Sequence, residues 1–276
     1  MDVLPEITEI LVKVRNEKPL IHHLTNFVTA SDSATITLAI GASPVMTNDP
    51  FEVVEMVSKA SALVINIGTL NHQALDTIIA AGLIAKEKGI PVILDPVGAG
   101  GTSARTRAAK RLIETVMPDV IRGNLAEIQA LAGQSGGIKG VDSTACESGS
   151  ERAAVSVAAA LGCVVALTGR TDIITDGKQV CRIDNGSLLL TSITGAGCMA
   201  TSLVGSCCAV SGSRFLGAAA GIVVMGVAGE LAGKSLADGE GVGTFRMRLF
   251  DAVYAMTPNL ITQYSKITSE ECYAWT

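Results

Sequence analysis

At 276 residues, 48% hydrophobic but only 3% aromatic, the chain has the length of one large domain or two small ones and ample aliphatic material for a core. A formal charge of -5, with no cluster of Lys and Arg, excludes nucleic acid as the main partner, because phosphate backbones demand concentrated positive charge. Seven cysteines, without CxxC pairs or histidines at zinc-ligand spacing, read as reduced thiols of a cytoplasmic protein.

The first residues carry acidic side chains and no apolar core of signal-peptide length. Helical spacing of apolar residues predicts a helix over 7–14, and 21–26 reads as a strand entering a loop. His22 and His23 suggest a metal, but neighbours on a strand face opposite ways and no third ligand is near, so no zinc site is expected. Ser31 is the expected cap of a helix ending at Gly41, followed by a short strand over 42–46. Met46 then stands at a strand's carboxyl end, either as core filler or as a thioether facing a ligand.

From residue 62 the pattern alternates: strand 62–68, helix 73–87, strand 90–96, helix 103–116. Such alternation means a parallel sheet with helices on both faces. Ligands of open parallel sheets gather outside the strands' carboxyl ends. Those ends carry Asn66, Gly68, Asp95 and a run of glycines at 98, 100 and 101.

A strand at 119–121 leads into RGNLAEI, residues 122–128. Arg122 can fork onto phosphate oxygens. Asn124 and Glu127 can hold a metal-bound water, although the simpler reading is an N-cap with its capping-box acid. Residues 133–149, polar and rich in Gly and Ser around Lys139, are expected to form a long loop or flap. A helix over 151–161 and strands over 164–169 and 171–175 follow. Asp176-Gly177 and Asn185-Gly186 predict two hairpins, so that antiparallel strands join the sheet. Helices over 196–210 and 215–231 are expected to pack closely through Gly and Ala, with a last helix over 244–256. The apolar run 216–229 is shorter than a bilayer span and ends at Glu230, which indicates a buried helix and no membrane. No internal repeat or linker appears, so residues 1–276 read as one domain.

The stretch Gly195-Ala196-Gly197-Cys198, running into a small-residue helix, has the form of an anion site. Glycine opens backbone conformations closed to other residues, and the first N–H groups of a helix have no intrahelical partner and can point at phosphate. A thiol in that first turn lies where thiolate is stabilised. Other motifs fail on context. Residues 229–235 resemble a Walker A loop but are one residue short and follow a helix, and no GxGxxG follows the first strand.

Taken together, ITGAGC (193–198), ILDPVGAGGT (93–102), RGNLAEI (122–128), INIGTL (65–70) and GASPVM (41–46) resemble the hydroxyethylthiazole kinase family of the thiamin pathway, over nearly the whole chain. The resemblance implies a ribokinase-like three-layer αβα fold with a mostly parallel sheet. It also implies phosphorylation of the primary alcohol of 4-methyl-5-(2-hydroxyethyl)thiazole by ATP with Mg²⁺, and a homotrimer with sites at subunit interfaces. By position, Gly195, Ala196 and Gly197 correspond to the anion hole and Cys198 stands where the wider superfamily has a catalytic Asp. Met46, Gly195, Asn26, Val28 and Gly68 correspond to thiazole contacts, Arg122 and Thr168 to nucleotide contacts, and Asp95 and Glu127 to the acidic pair near Mg²⁺. Phe27 departs from the family pattern. Two other functions fit parts of this reading: an ADP-dependent dehydratase of hydrated nicotinamide nucleotides, expected to keep Asp at position 198, and a non-catalytic thiazole sensor.

Overall fold

The computed structural model describes residues 2–70, 72–132 and 147–271. Among them, nine strands form one sheet: β1 (Leu20–Leu24), β2 (Ser43–Val45), β3 (Ala62–Asn66), β4 (Val92–Asp95), β5 (Val120–Asn124), β6 (Val164–Thr168), β7 (Asp172–Thr175), β8 (Gln179–Ile183) and β9 (Ile267–Glu271). Their order is β2-β1-β3-β4-β5-β6-β7-β8-β9. Pairs from β2 to β6 are parallel and the last three pairs are antiparallel.

Buried strands alternate sides residue by residue, so each strand feeds two cores. Ala62 and Val64 of β3 face one core, and Leu63 and Ile65 face the other. The first core is closed by α1 (Leu4–Glu17), α2 (Ala30–Ile40), α8 (Ala196–Cys208), α9 (Arg214–Lys234), α10 (Val242–Tyr254) and α11 (Pro258–Tyr264). The second is closed by α3 (Val53–Lys59), α4 (His72–Glu87), α5 (Ser103–Val116), α6 (Leu125–Ala132) and α7 (Glu147–Leu161). The expected three-layer αβα architecture is therefore present. The close contact of α8 and α9 rests on small residues: a Cβ on Gly221 would lie 2.5 Å from the Val204 backbone nitrogen.

Several local expectations need correction. Helix α2 begins after Thr29, not at Ser31, because Asn26 Oδ1 accepts both the Thr29 N–H and its hydroxyl and so organises the chain two residues earlier. The Asp176-Gly177 turn joins β7 to β8 as expected, but Asn185-Gly186 makes no hairpin. Asn185 is buried: its amide donates to Glu230 Oε1 and the Tyr264 carbonyl, and its oxygen accepts from the Lys266 N–H. That ties the end of β8 to the chain entering β9, its antiparallel neighbour from the far C-terminal region. Helices α3 and α11 were not anticipated. Of the segment expected as a loop around Lys139, residues 133–146 lie outside the described residues, while 147–149 belong to α7. Helix α9 has 21 residues, longer than the apolar run suggested, and 89% of its apolar window is buried inside the fold.

Candidate active site

The connection after β1 crosses one face of the sheet through α2 and that after its neighbour β3 crosses the other through α4, so a crevice opens at the carboxyl ends of these two strands. Helix α8 starts over this crevice. Its N-cap, Gly195, has φ 88°, a left-handed conformation natural only to glycine, and a Cβ there would also come within 2.8 Å of Thr29 Cγ2. The first intrahelical bond is that from Met199 N–H to the Gly195 carbonyl, leaving the N–H groups of Ala196, Gly197 and Cys198 available to an anion.

Arg122, near the end of β5, lies against the bare Cα of Gly197: a Cβ there would meet Nη1 at 2.5 Å. Its Nη2 donates to Thr168 Oγ1 at 2.5 Å, and Nη1 lies 3.9 Å from Asp95 Oδ2. The structure thus brings together Arg122 and Thr168, the two positions that the family resemblance matches to nucleotide contacts.

Asp95, at the end of β4, is fully buried. Its Oδ2 accepts from Thr201 Oγ1 at 2.8 Å and Asn66 Nδ2 at 2.9 Å, while Oδ1 has no hydrogen-bond partner. Burial pushes this carboxyl up to about 6, against the opposing pull of the Arg122 charge and the Thr201 and Asn66 hydrogen bonds. Glu127 forms the capping box with Asn124: Asn124 N–H donates to Glu127 Oε2 at 2.9 Å and Glu127 N–H to Asn124 Oδ1 at 3.0 Å. Glu127 Oε1 accepts from Gly98 N–H, so the acid also pins the glycine-rich loop after β4.

Cys198 is half-buried, whereas Cys163, Cys181, Cys207 and Cys208 are buried. Asn26 lies 4% exposed beside it, and Gly68 sits against Asn26 and Asn66. Met46 directly follows β2, on the outer side of the crevice. Val28 is 59% exposed and its neighbour Phe27 80% exposed.

On the far side of Gly197 a groove of about 1010 Å³ is lined by Arg122, Thr168, Asp172, Ala196, Ile222 and Met225, among others. Asp172 was overlooked in the sequence. Its Oδ1 accepts the Gly169 N–H at 2.9 Å, and burial pushes its carboxyl up to about 7. Thr201 and Arg105 also escaped notice; Arg105 Nη2 donates to the Gly68 carbonyl at 2.8 Å. An i+4 spacing from Gly197 placed Thr201 on the same helix face, but nothing local said that it would meet Asp95.

Helices on both faces of a mostly parallel sheet with an antiparallel edge make a ribokinase-like fold. A ribokinase-like superfamily protein from Enterococcus faecalis V583 shares this fold with a TM-score of 0.64 at 13% identity, covering 93% of this chain and 94% of that one. The chain belongs to the hydroxyethylthiazole kinase family, whose model matches residues 11–259. It is 45% identical over 265 residues to hydroxyethylthiazole kinase of Ruminiclostridium cellulolyticum, covering 95% of this chain and 97% of that protein. The solved structure of hydroxyethylthiazole kinase from Pyrococcus horikoshii OT3 matches with a TM-score of 0.89 at 37% identity, covering 97% of this chain and all of that one.

Proposed function

We infer that the chain transfers the γ-phosphoryl group of ATP to the primary hydroxyl of 4-methyl-5-(2-hydroxyethyl)thiazole, releasing the phosphate ester and ADP, in thiamin biosynthesis or salvage. The observation that carries this reading is that the groove and the strand-end crevice meet at one helix N-terminus, beside Gly197 and Cys198. A donor in the groove places its terminal phosphate against the N–H groups of Ala196 to Cys198 and the Arg122 guanidinium. An acceptor alcohol between Asn26, Gly68 and Met46 then lies on the opposite side of that phosphate.

In the proposed step the alcohol oxygen attacks the γ-phosphorus, the bond to the ADP oxygen breaks, and the hydroxyl proton passes to Cys198 Sγ, which enters the step as the thiolate and leaves it as the thiol. Phosphoryl transfer proceeds through a loose transition state, so positioning and charge stabilisation supply most of the rate and the base is asked for little. The residues fit a magnesium ion on one observation, the orphaned Oδ1 of buried Asp95. Mg²⁺ typically takes one or two protein carboxylates along with phosphate oxygens. Asp95 and Glu127 would hold it, and it would offset charge on the transferring phosphoryl group. The exposure of Phe27 and Val28 supports completion of the thiazole pocket by a neighbouring copy in a homotrimer, and we place this single-domain enzyme in the cytoplasm.

The reading is tested by incubating the purified protein with ATP, Mg²⁺ and the thiazole alcohol and seeking the phosphorylated product by mass spectrometry. Hydroxymethylpyrimidine and hydrated nicotinamide nucleotide serve as competing substrates. Phosphorylation of the pyrimidine, dehydration of the nucleotide, or thiazole binding without turnover would each replace the proposal.

Cys198→Ala should retain activity, because the backbone donors of the anion hole stay in place. A positioned base contributes about 10²- to 10⁴-fold, and a loose transition state puts the loss at the lower end, in kcat and not KM. Steady-state kinetics decides: an unchanged kcat reduces Cys198 to packing, and complete loss in the variant, with a phosphocysteine trapped in the wild type, makes it a covalent carrier.

The raised Asp95 carboxyl gives a pH signature. The folded state binds this proton more tightly than the unfolded chain does, so its contribution to stability is full below the ordinary carboxylate range. That contribution is lost as pH rises through about 6. The anion needed beside a cation forms over the same interval. With the thiazole saturating, kcat/KM for ATP, which reports the enzyme before the cation and nucleotide bind, should fall below about pH 6. A flat profile across that region would show that the Asp95 anion is not required.

A further inference from the structure

Asn66, the last residue of β3, is 5% exposed and uses both ends of its side chain twice. Its Oδ1 accepts from the Gly68 N–H at 3.0 Å and from Asn26 Nδ2 at 2.9 Å. Its Nδ2 donates to Asp95 Oδ2 at 2.9 Å and to Cys198 Sγ at 3.2 Å. The orientation of the amide is not arbitrary. The Gly68 backbone can only donate, so it fixes which end is oxygen, and a flipped amide would set oxygen against a carboxylate oxygen. Asn26 is fixed in the same way, by the Thr29 N–H on its Oδ1, and aims its own Nδ2 at Cys198 Sγ at 3.4 Å.

Two consequences follow for the reacting groups. The thiol sulfur receives two amide donors whose directions are set by backbone outside α8, so its position depends on the crevice and not only on its own helix. On Asp95, Asn66 and Thr201 both bind Oδ2, leaving Oδ1 as the free oxygen.

We propose that Asn66 is the positioning residue of the reaction: one amide sets the Cys198 thiol and the free face of the Asp95 carboxylate in register with the acceptor crevice at Asn26 and Gly68. Its role at the phosphoryl step rests on the kinase reading above. The hydrogen-bond frame itself does not, and the experiment separates the two.

Asn66→Asp keeps an acceptor for Gly68 and Asn26 but turns the donor end into a carboxylate oxygen facing Asp95 and the sulfur. Small misplacements of reacting groups cost on the order of 10²-fold, so kcat should fall by about that factor while the KM for ATP stays within about threefold of wild type. Removing the Asn66 donor from Cys198 Sγ, and in Asn66→Asp facing the sulfur with a carboxylate oxygen instead, should slow iodoacetamide alkylation of Cys198, followed by peptide mass spectrometry at neutral pH, by about tenfold or more. Asn66→Ala should behave alike without adding charge, and thermal melts report whether each variant folds. Wild-type alkylation rates and wild-type kcat in a folded variant would overturn the proposal. Slowed alkylation in a protein that phosphorylates no thiazole would uphold the frame and sink the kinase reading instead. Should neither variant fold, the Asn66 side-chain amide signals of ¹⁵N-labelled wild type decide: they should shift on S-methylation of Cys198, and no shift overturns the frame.

Discussion

Replacing Gly197 by valine is expected to lower kcat by about 10²- to 10³-fold, the cost of losing an anion-hole donor. The first added carbon alone would lie 2.5 Å from Arg122 Nη1 and 3.2 Å from Cζ and Nη2. The guanidinium is the mobile partner in that clash, but only 12% of its side chain is exposed, and it is already held by Thr168 and placed beside Asp95. It can make room only by leaving the floor of the groove. The branched side chain would also screen the N–H groups of the first turn of α8 from an incoming phosphate. Steady-state kinetics on the variant, with circular dichroism to confirm that the helices persist, tests this. A wild-type kcat would mean that the phosphate binds away from the Gly197 face, and the assignment of the anion hole would fail.

Arg122→Ala should weaken ATP far more than the thiazole. A charge-assisted contact to phosphate is worth about 1.5–3 kcal/mol, which corresponds to roughly 10- to 150-fold in the KM or Kd for ATP. A second effect acts through Asp95. The Arg122 charge opposes the rise that burial imposes on that carboxyl, so removing it should push Asp95 further up. The acid limb of kcat/KM should then move to higher pH, in the same variant that loses ATP affinity. Arg122→Lys should keep part of the electrostatic effect but lose the fork that reaches both Thr168 and the phosphate. Calorimetry with each ligand separately is the check. Thiazole affinity falling while ATP affinity holds would show that Arg122 serves the acceptor.

The amino-acid sequence by itself determined the alternation of strands and helices, and with it the parallel sheet, because period-two and period-3.6 apolar patterns are local properties of the chain. It placed Asn66, Asp95 and Thr168 at strands' carboxyl ends, where ligands of open parallel sheets are expected to gather, and Arg122 two residues before the end of β5. It determined the glycine-started helix at 195–198 and the capping box of Asn124 and Glu127, both of which are written within four residues. Tertiary structure decided what depended on distant partners. Asn185-Gly186 carries the letters of a hairpin turn, but the buried Asn185 amide is claimed by Glu230, Tyr264 and Lys266, and β8 pairs with β9 from more than eighty residues away. Thr201 meets Asp95 across 106 positions, and Asn66 meets Cys198 across 132. Hydrogen bonds of that span leave no periodic or turn signal, because burial and the folding of the sheet, not chain proximity, bring their partners within reach.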